Sequence, residues 1–449
     1  MRSLEAGGPA TPGTAARGIL LVALLFRLPL LALPPTLSDD LLRYAWDGRV
    51  AAARQDPYRL PPDAAELAPL RDELWQRLPH RDVATVYPPL AVGLFSIAAR
   101  TPWPQPVLKT ALTAADLLAC WLLIVLARRR GVPEARAAWY AWSPLAAVET
   151  AGMGHVDALG VAAVLAAVLA LSGRRGRPAG EGAARSPDRA DGRAPVRSGE
   201  ERAAAGTARR SGLPAALTAA LAAAAGVLAK LVPLVALPMW ARRSGRPALF
   251  LAVALVMVAA GLVPVFAGGV PPGLVTYGVS WEFNGPVYEP LWRAIDALGL
   301  DAAARSGLDR LEAWTGAWRA ADPLYRFVYP QLLAKLLLAF GVLGAVAWSL
   351  SARDPVAGSR GLFGALVVLS PTVYPWYVLW VLPFAALTRA PAWLALAALV
   401  QLAYLPRLVP GVGLFPWVWL AIWGPFALLL LARPAAQLRR RLAAREPAA

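Results

Sequence analysis

The stretch GILLVALLFRLPLLALPPTL, residues 18–37, followed at once by SDDLLRYAWDGR, residues 38–49, decides the fold class. Its first part is an apolar run long enough to cross the ~30 Å hydrocarbon core of a bilayer. No small-residue cleavage pattern follows the run, so we expect a retained span rather than a signal peptide. Arg2 and Arg17 precede it, which predicts a cytoplasmic N-terminus. The polar second part is then expected at the outer membrane surface.

The composition of the whole chain is typical of a membrane protein. Of 449 residues, 58% are hydrophobic and the mean hydropathy is +0.49, whereas soluble domains contain roughly 45–50% apolar residues. One cysteine, Cys120, and two histidines exclude a disulfide framework, a cysteine-based metal cluster and a histidine-rich zinc site. Much of the net charge of +17 lies in Arg runs at the ends of apolar segments, which indicates membrane topology rather than nucleic-acid binding. We find no Rossmann or P-loop glycine pattern and expect no nucleotide site.

Hydropathy and Arg placement predict an all-α integral membrane protein with about twelve transmembrane helices and both termini in the cytoplasm. The run VYPPLAVGLFSIAA, residues 86–99, is short for a span. If it lies at the interface, the three arginines at 128–130 fall in the cytoplasm, so we interpret it as a juxtamembrane helix of the first outer loop. Several other apolar runs are also short, which predicts broken or tilted helices around a cavity.

This topology divides the chain into two membrane modules. The predicted parts are an N-terminal module, residues 1–172, with a first outer loop at 38–85 and the juxtamembrane helix at 86–99; a disordered, Arg-rich cytoplasmic linker at 173–211; a C-terminal module, residues 212–433, with a second outer loop at 267–326; and a basic cytoplasmic tail at 434–449.

The unusual ionisable residues gather on the predicted outer face. A charge at the centre of a membrane helix costs ~2.5–3.5 kcal/mol on insertion scales, so such groups usually face a protein interior or a wet cavity. One outward-facing site is the economical interpretation. Its members are Asp39, Asp40, Arg43, Asp47, Arg54, Asp56, Arg59, His80, Lys109, Glu149, His155, Asp157, Lys230, Glu282 and Glu289.

Asp39 and Asp40 stand where the first span ends. A carboxylate there can act as a general base toward a hydroxyl that arrives from outside while a lipid-linked donor arrives from the side. The alternative is a helix N-cap formed by Ser38 or Asp39, and both can hold if Asp39 caps the helix and Asp40 stays free. The two aspartates are adjacent and do not form an Asp-x-Asp metal motif, and we expect no metal and no cofactor.

The chain has three lysines, Lys109, Lys230 and Lys335. A flexible ammonium is a good point-charge partner for a phosphate, and the alternative is snorkelling to the interface. For Lys230, which precedes a proline-broken helix, we favour the phosphate role. For Lys335 we favour snorkelling or a structural pair. Near the middle of the first span, Arg27 is expected either in an anion pocket or paired with Asp116.

Motifs spread in order over nearly the whole chain carry a family resemblance. They are SDDLLRYAWDGR at 38–49, DPYR at 56–59, YPP at 87–89, Glu149 with GHVD at 154–157, KLVP at 230–233, and SPTVYPWYVLW at 370–380. Together they resemble bacterial membrane glycosyltransferases of the GT-C fold, similar to glycosyltransferase family 87, which use polyprenyl-phosphate sugars and commonly polyprenyl-phosphate mannose. Some relatives carry a histidine near the later outer loop, where this chain has Tyr374 and Trp376.

The resemblance implies an inverting mannosyltransferase in the plasma membrane, with an extracytoplasmic active site that acts in the cell envelope. The donor would be a polyprenyl-phosphate sugar and the acceptor a lipid or glycan hydroxyl, with no nucleic acid among its partners. By the resemblance, the catalytic base is Asp40, with Asp39 second. Lys230, His155 and Arg43 are the candidates for the donor phosphate. The candidate substrate-binding residues are Asp47, Tyr87, Glu149, Asp157, Asn284, Tyr374, Trp376 and Tyr377.

Three alternatives stay open at this point. The aromatic residues equally fit an interfacial belt, and Tyr87 with its two prolines fits a fixed turn. For the whole protein, a transporter or flippase for a lipid-linked sugar also fits broken helices with charges at the membrane midplane. A non-catalytic assembly subunit is the third alternative and would leave Asp40 without a role.

Overall fold

The computed structural model describes residues 13–173, 212–316, 322–325 and 328–443. The predicted disordered linker, apart from Gly173, lies outside the described residues, as do the first twelve and the last six residues of the chain. Within the described ranges the regular structure is helical, and the only strand-like pairing joins Phe283 and Asn284 to Thr372. The all-α prediction is confirmed.

We label the helices of seven or more residues in chain order. The first half of the chain contains α1 (Thr14–Ala32), α2 (Asp40–Ala52), α3 (Pro89–Ala99), α4 (Pro104–Arg129) and α5 (Asp157–Leu171). The shorter pieces here are the 3₁₀ turns Ala65–Leu70 and Glu134–Ala137, the α-turns Glu73–Gln76, Ala138–Ala141 and Pro144–Ala147, and the π-turn Val148–Gly152.

The second half continues the same architecture. It contains α6 (Leu213–Ala229), α7 (Leu237–Arg243), α8 (Pro247–Phe266), α9 (Pro272–Ser280), α10 (Tyr288–Ala297), α11 (Leu300–Thr315), α12 (Pro330–Ser349), α13 (Pro355–Leu369), α14 (Leu382–Thr388), α15 (Pro391–Leu399) and α16 (Trp419–Ala443). Its shorter pieces are Val232–Ala236, Asp322–Tyr325, Pro375–Trp380, Val400–Tyr404, Leu405–Leu408 and Leu414–Val418.

Six helical runs in the described part of the chain are long and apolar enough to cross a bilayer. They are Thr14–Ala32, Pro104–Arg129, Pro247–Phe266, Pro330–Ser349, Pro391–Leu408 and Leu414–Ala432. Four shorter apolar helices of 10–17 residues, α3, α5, α6 and α13, accompany them. The structure therefore supports a multi-pass membrane protein, while the number of twelve spans stays a prediction.

The predicted broken helices are present. The apolar segment that follows α4, residues 134–152, consists of four short turns that end in the π-turn Val148–Gly152. Pro133 and Pro144 each begin a new piece of this segment, because proline cannot donate the backbone hydrogen bond that would continue the preceding turn. Irregular backbone at membrane depth is stable only where protein or a wet cavity surrounds it.

The first polar loop, residues 38–85, is anchored by the packing of α2 on α3. Gly48 permits the close approach, because a Cβ built on it would lie 2.2 Å from the carbonyl oxygen of Phe95. The rings of Tyr44 and Phe95 stack at 4.4 Å. The juxtamembrane helix predicted over 86–99 begins only at Pro89, since Pro88 keeps an extended backbone ahead of it.

A closed ion pair joins α1 to α4 in the interior. Arg27 donates from Nε to Asp116 Oδ2 at 2.5 Å, and both side chains are fully buried. Tyr140 donates to the other Asp116 oxygen at 2.6 Å, and Arg27 also donates to the carbonyl oxygens of Ala23 and Ala141. Of the two expectations for Arg27, the structural pair is therefore the one observed.

Charged side chains at the two ends of α4 contact different helices. At the start of α4, Lys109 donates to the carbonyl oxygens of Leu30 and Leu33 at the end of α1, so α1 and α4 run antiparallel. At the other end of α4, Arg130 forms a bidentate pair with Asp354, which caps the start of α13. Ser370 follows the far end of α13 and lines the cavity described next.

Candidate active site

A cavity of about 940 Å³ brings together the first loop, the start of the 231–236 turn, α9 and the 370–380 segment. Eight of the predicted site residues line it: Asp39, Asp40, Arg43, Tyr87, Lys230, Tyr374, Trp376 and Tyr377. Five others do not contribute to its lining: Asp47, Glu149, His155, Asp157 and Asn284. The predicted residues therefore form one site with an accessible layer and a buried layer.

Asp40 lies in the first turn of α2 and is 30% exposed. Its Oδ2 accepts hydrogen bonds from Tyr44, one turn later, at 3.3 Å and from Tyr87 at 3.4 Å. Nδ1 of His155 lies 3.4 Å from the same oxygen. Burial by itself would raise the pKa of Asp40, but His155 and then Lys230 outweigh it, so this pKa lies below its ordinary value. Asp40 is a carboxylate kept ionised beside a cavity.

Asp39 has a different environment. It occupies the position before α2 but makes no side-chain cap, and Ser38 Oγ instead accepts the Asp40 backbone N–H at 3.2 Å. Both Asp39 oxygens accept from Arg407, at 2.9 and 3.0 Å. The expectation that Asp39 caps the helix is wrong, because Arg407 engages its carboxylate.

Behind Asp40, His155 lies between two carboxylates. Its Nε2 is 3.2 Å from Glu149 Oε2, and Tyr404 donates to both Glu149 oxygens at 2.9–3.0 Å. His155 and Glu149 are fully buried, and Trp376 stacks on the imidazole at 3.7 Å. The expected direct contact of His155 with a donor phosphate is not what this geometry provides, because Trp376 and Asp40 separate the imidazole from the cavity.

Lys230 projects from the end of α6, where the backbone becomes extended. Its ammonium lies 2.7 and 2.9 Å from the two oxygens of Asp157 and 5.0 Å from the centre of the Tyr377 ring. Asp157 is fully buried and also accepts the indole N–H of Trp380 at 2.6 Å. Asp157 therefore positions Lys230 instead of facing the cavity, whereas Lys230 remains 18% exposed.

Arg43 lines the cavity but is tied to its own loop. It pairs with Asp47 at 2.8 Å and donates to the carbonyl oxygens of His80 and Val83. Asp47 is buried beneath this contact, so the predicted role of Asp47 in substrate binding gives way to that of a partner for Arg43. The structure assigns Asn284 a similar supporting role, since its amide oxygen accepts the Trp423 indole N–H at 2.9 Å and its side chain is buried.

The aromatic residues of the 370–380 segment form an ordered wall. Phe283, Tyr374, Trp376 and His155 stack in a continuous column with centroid spacings of 4.6, 4.5 and 3.7 Å. Tyr377 shares a short hydrogen bond with Tyr277 of α9. This order distinguishes the segment from an interfacial belt, whose aromatic side chains face the lipid headgroups.

A comparison with known protein families decides between an enzyme and a transporter. The alpha-(1->6)-mannopyranosyltransferase family, N-terminal domain, matches residues 3–267, which is more than half of the chain. The chain belongs to this family. No curated protein and no solved structure matches it.

Family membership confirms the resemblance to a mannosyltransferase-like GT-C membrane glycosyltransferase and supports an enzyme that transfers mannose. The matched region of this mannosyltransferase contains Asp40, His155 and Lys230, whereas the aromatic wall and Arg407 lie beyond it. The cavity is therefore built from matched and unmatched parts of the chain together.

Sequence reasoning missed three members of the mannosyltransferase site: Tyr277, Tyr404 and Arg407. All three line the cavity. One signal could have found Arg407, because a lone arginine at the predicted outer end of a span departs from the positive-inside pattern. The two tyrosines carried no comparable signal in a chain with 11 tyrosines.

The described residues contain no group of three or more His, Cys, Asp or Glu side chains placed to hold a metal ion. The carboxylates Asp39, Asp40, Glu149 and Asp157, at or behind the cavity, contact basic or tyrosine side chains. Activity without a metal or cofactor stays a prediction for this mannosyltransferase.

Proposed function

We propose that the protein transfers mannose with inversion from a polyprenyl-phosphate donor to a glycan or lipid hydroxyl on the extracytoplasmic side of the membrane. The observation that carries the proposal is Asp40, a partly exposed carboxylate in a cavity that also contains Lys230 and a patch of apolar side chains from two helices. Family membership supplies the sugar class.

Asp40 is the general base. Among the predicted carboxylates that line the cavity, Asp39 has both oxygens engaged by the guanidinium of Arg407, which leaves neither oxygen open to an acceptor hydroxyl. At Asp40 the two tyrosine hydroxyls and His155 all contact Oδ2, and the 30% exposure of the side chain lets an acceptor hydroxyl approach. In the reaction the acceptor oxygen bonds to the anomeric carbon, the bond from that carbon to the phosphate oxygen breaks, and the acceptor proton passes to Asp40.

Lys230 binds the donor phosphate. An ammonium has three N–H donors, and the two contacts with Asp157 leave one for the cavity side. Negative charge develops on the phosphate as it departs, so a positioned cation stabilises the transition state more than the ground state. Asp157 and the Tyr377 ring fix the ammonium in place before the donor binds.

An apolar wall fits the isoprenoid part of the donor. It consists of Leu338, Ala339 and Val342 of α12 and Phe363, Leu366 and Val367 of α13. Neighbouring side chains of α12, among them Leu337, Phe340 and Leu343, are exposed, as expected where a membrane helix meets lipid. A donor lipid can therefore reach the cavity from the bilayer. A nucleotide-linked sugar has no comparable apolar part.

The configuration of the product follows from a mechanism with one base and a single displacement of the phosphate at the anomeric carbon. A single in-line attack inverts the anomeric carbon, and the product linkage in the family name is α. The donor must then carry a β-linked mannose. The extracytoplasmic location rests on the Arg runs expected in the cytoplasm and on the need for a lipid phosphate where no nucleotide sugar is present.

The test is transfer by the purified Asp40→Asn protein with β-linked polyprenyl-phosphate mannose and a mannoside acceptor. We expect a loss of at least ~10²–10⁴-fold, the usual contribution of a general base, without loss of folding. Asp39→Asn is the matched variant, since it makes the same chemical change one residue earlier, and its loss should be far smaller. Full turnover by Asp40→Asn would contradict the base assignment, and use of a nucleotide-linked mannose in place of the lipid donor would contradict the donor.

A further inference from the structure

We propose that His155, Glu149 and Tyr404 form a buried charge support behind Asp40, in which a protonated His155 keeps the Asp40 carboxylate ionised and aimed at the cavity. The inference rests on the proposed function of Asp40 as the base. It assigns His155 and Glu149 as positioning residues instead of substrate ligands.

The contacts of the imidazole indicate its protonation state. Nδ1 faces Asp40 Oδ2 at 3.4 Å and Nε2 faces Glu149 Oε2 at 3.2 Å. Ionised carboxylates only accept hydrogen bonds, and a neutral imidazole has one nitrogen that is itself an acceptor. One of the two contacts would then be repulsive. With a proton on each nitrogen both contacts are attractive, so this site favours the imidazolium.

Neither contact has ideal hydrogen-bond geometry. Both ring nitrogens are buried without an aligned partner, and therefore the stabilisation is mainly that of opposite charges at 3.2–3.4 Å. In a buried site such attraction is stronger than in water. A support of this kind depends on the charge of His155 more than on the direction of a single hydrogen bond.

Burial prevents His155 and Glu149 from acting on substrate directly. Both are fully buried, and the Trp376 ring covers the imidazole at 3.7 Å. Tyr404 closes the far side by donating to both Glu149 oxygens. From the cavity inward, Asp40 contacts His155 and His155 contacts Glu149. Tyr404 contacts Glu149 and also lines the cavity.

The other ionisable groups near Asp40 leave His155 as its nearest cationic group. Lys230 also acts on Asp40, but its ammonium is shared with Asp157. Arg43 is paired with Asp47 and Arg407 with Asp39. The other ionisable neighbours are tyrosines, namely Tyr44, Tyr87, Tyr277, Tyr374 and Tyr404. Removing the charge of His155 should therefore shift the titration of Asp40 more than any other single change nearby.

The test is the pH dependence of kcat/KM for transfer from polyprenyl-phosphate mannose, measured on the full chain. In His155→Gln the acid limb, where activity falls as Asp40 takes up a proton, should move to higher pH by ~1–3 units, the usual effect of losing an opposite charge at this distance. Activity should recover at high pH, because Asp40 itself remains. Glu149→Gln keeps the shape of the side chain but removes a negative charge from the far side of the imidazolium, so it should move the limb slightly to lower pH. Tyr404→Phe removes a neutral hydrogen bond and should move it least.

An equal loss of activity at every pH in both His155→Gln and Glu149→Gln would overturn the inference, since a structural role alone lowers activity without shifting the limb. An unshifted limb with full activity would overturn it as well. If His155→Gln does not fold, the smaller uncharged variant His155→Asn is measured in its place, with the same shift to higher pH expected. Asp40→Asn separates the two proposals. If Asp40→Asn retains activity, the proposed function fails. If Asp40→Asn is inactive but the acid limb of His155→Gln is not shifted, only the charge support fails.

Discussion

Two groups of charged residues differ in how completely they are paired. The closed group contains Arg27, Asp116 and Tyr140, and the open group contains Asp40, His155 and Glu149. Asp116 receives both Arg27 and Tyr140, Arg27 also donates to two backbone carbonyls, and none of these side chains is exposed. Around Asp40 the imidazole lacks aligned hydrogen bonds and the carboxylate is 30% exposed. Complete pairing produces a rigid brace, whereas incomplete pairing beside a cavity leaves a group free to react.

The largest expected effect comes from breaking the closed group. Asp116→Asn leaves the Arg27 guanidinium buried without its counter-charge, which should cost ~3–5 kcal/mol of stability. A lower unfolding midpoint in detergent would show it. Transfer by the fraction that remains folded should change little, because neither residue lines the cavity.

The companion variant replaces both charged side chains, Arg27→Leu with Asp116→Leu. It should recover part of the lost stability, since apolar packing can substitute for a buried pair. If the double variant is less stable than Asp116→Asn, the hydrogen bonds of Arg27 and Asp116 stabilise the fold by more than the neutralisation of their two charges.

The second-largest effect is expected at the cavity, from replacing Lys230. Lys230→Gln should reduce kcat/KM for the polyprenyl-phosphate donor by about tenfold or more, with kcat lowered as well as KM raised, since hydrogen bonds to charged groups contribute ~1.5–3 kcal/mol. The KM for the acceptor should rise much less. Lys335→Gln is the matched control, because Lys335 also lines the cavity and is paired with a carboxylate, Glu282 at 2.8 Å. Equal effects of Lys230→Gln on both substrates would contradict the phosphate role.

The smallest effect should follow from Arg407→Gln. The Arg407–Asp39 pair has 46% and 35% exposed side chains, and exposed pairs contribute ~1 kcal/mol or less. We expect kcat/KM to change by less than about fivefold, measured with both substrates below saturation. A loss comparable to that of Asp40→Asn would mean that Asp39 and Arg407 take part in the chemistry.

The sequence predicted the accessible layer of the site better than the buried layer. Asp40 and Lys230 stood out because a charge next to an apolar run is costly and needs a purpose. The sequence also predicts Asp157 and Glu149 as site residues, but as substrate ligands, whereas in the structure they contact Lys230 and His155. A contact such as Lys230–Asp157 joins residues 73 positions apart, and no single sequence states which distant charges meet.

The same limit applies to the fold. Apolar length identified the long spans such as α4 and α8, whose boundaries follow from local hydropathy. It could not foresee that residues 135–150 would divide into four turns, because the polar groups that such turns expose are satisfied by tertiary neighbours. The pairing of Arg27 with Asp116 was foreseen as one of two options, and only packing could select it.

The aromatic column has a consequence for the chain as a whole. Its four rings come from three separate segments: His155 from the first half, and Phe283, then Tyr374 with Trp376, from the second. Helices α5 and α6, which flank the undescribed stretch, pack directly on each other. Neither half of the polypeptide contains a complete reaction centre, so a change in how the two halves pack would reach His155 through Trp376 and, through His155, the base Asp40.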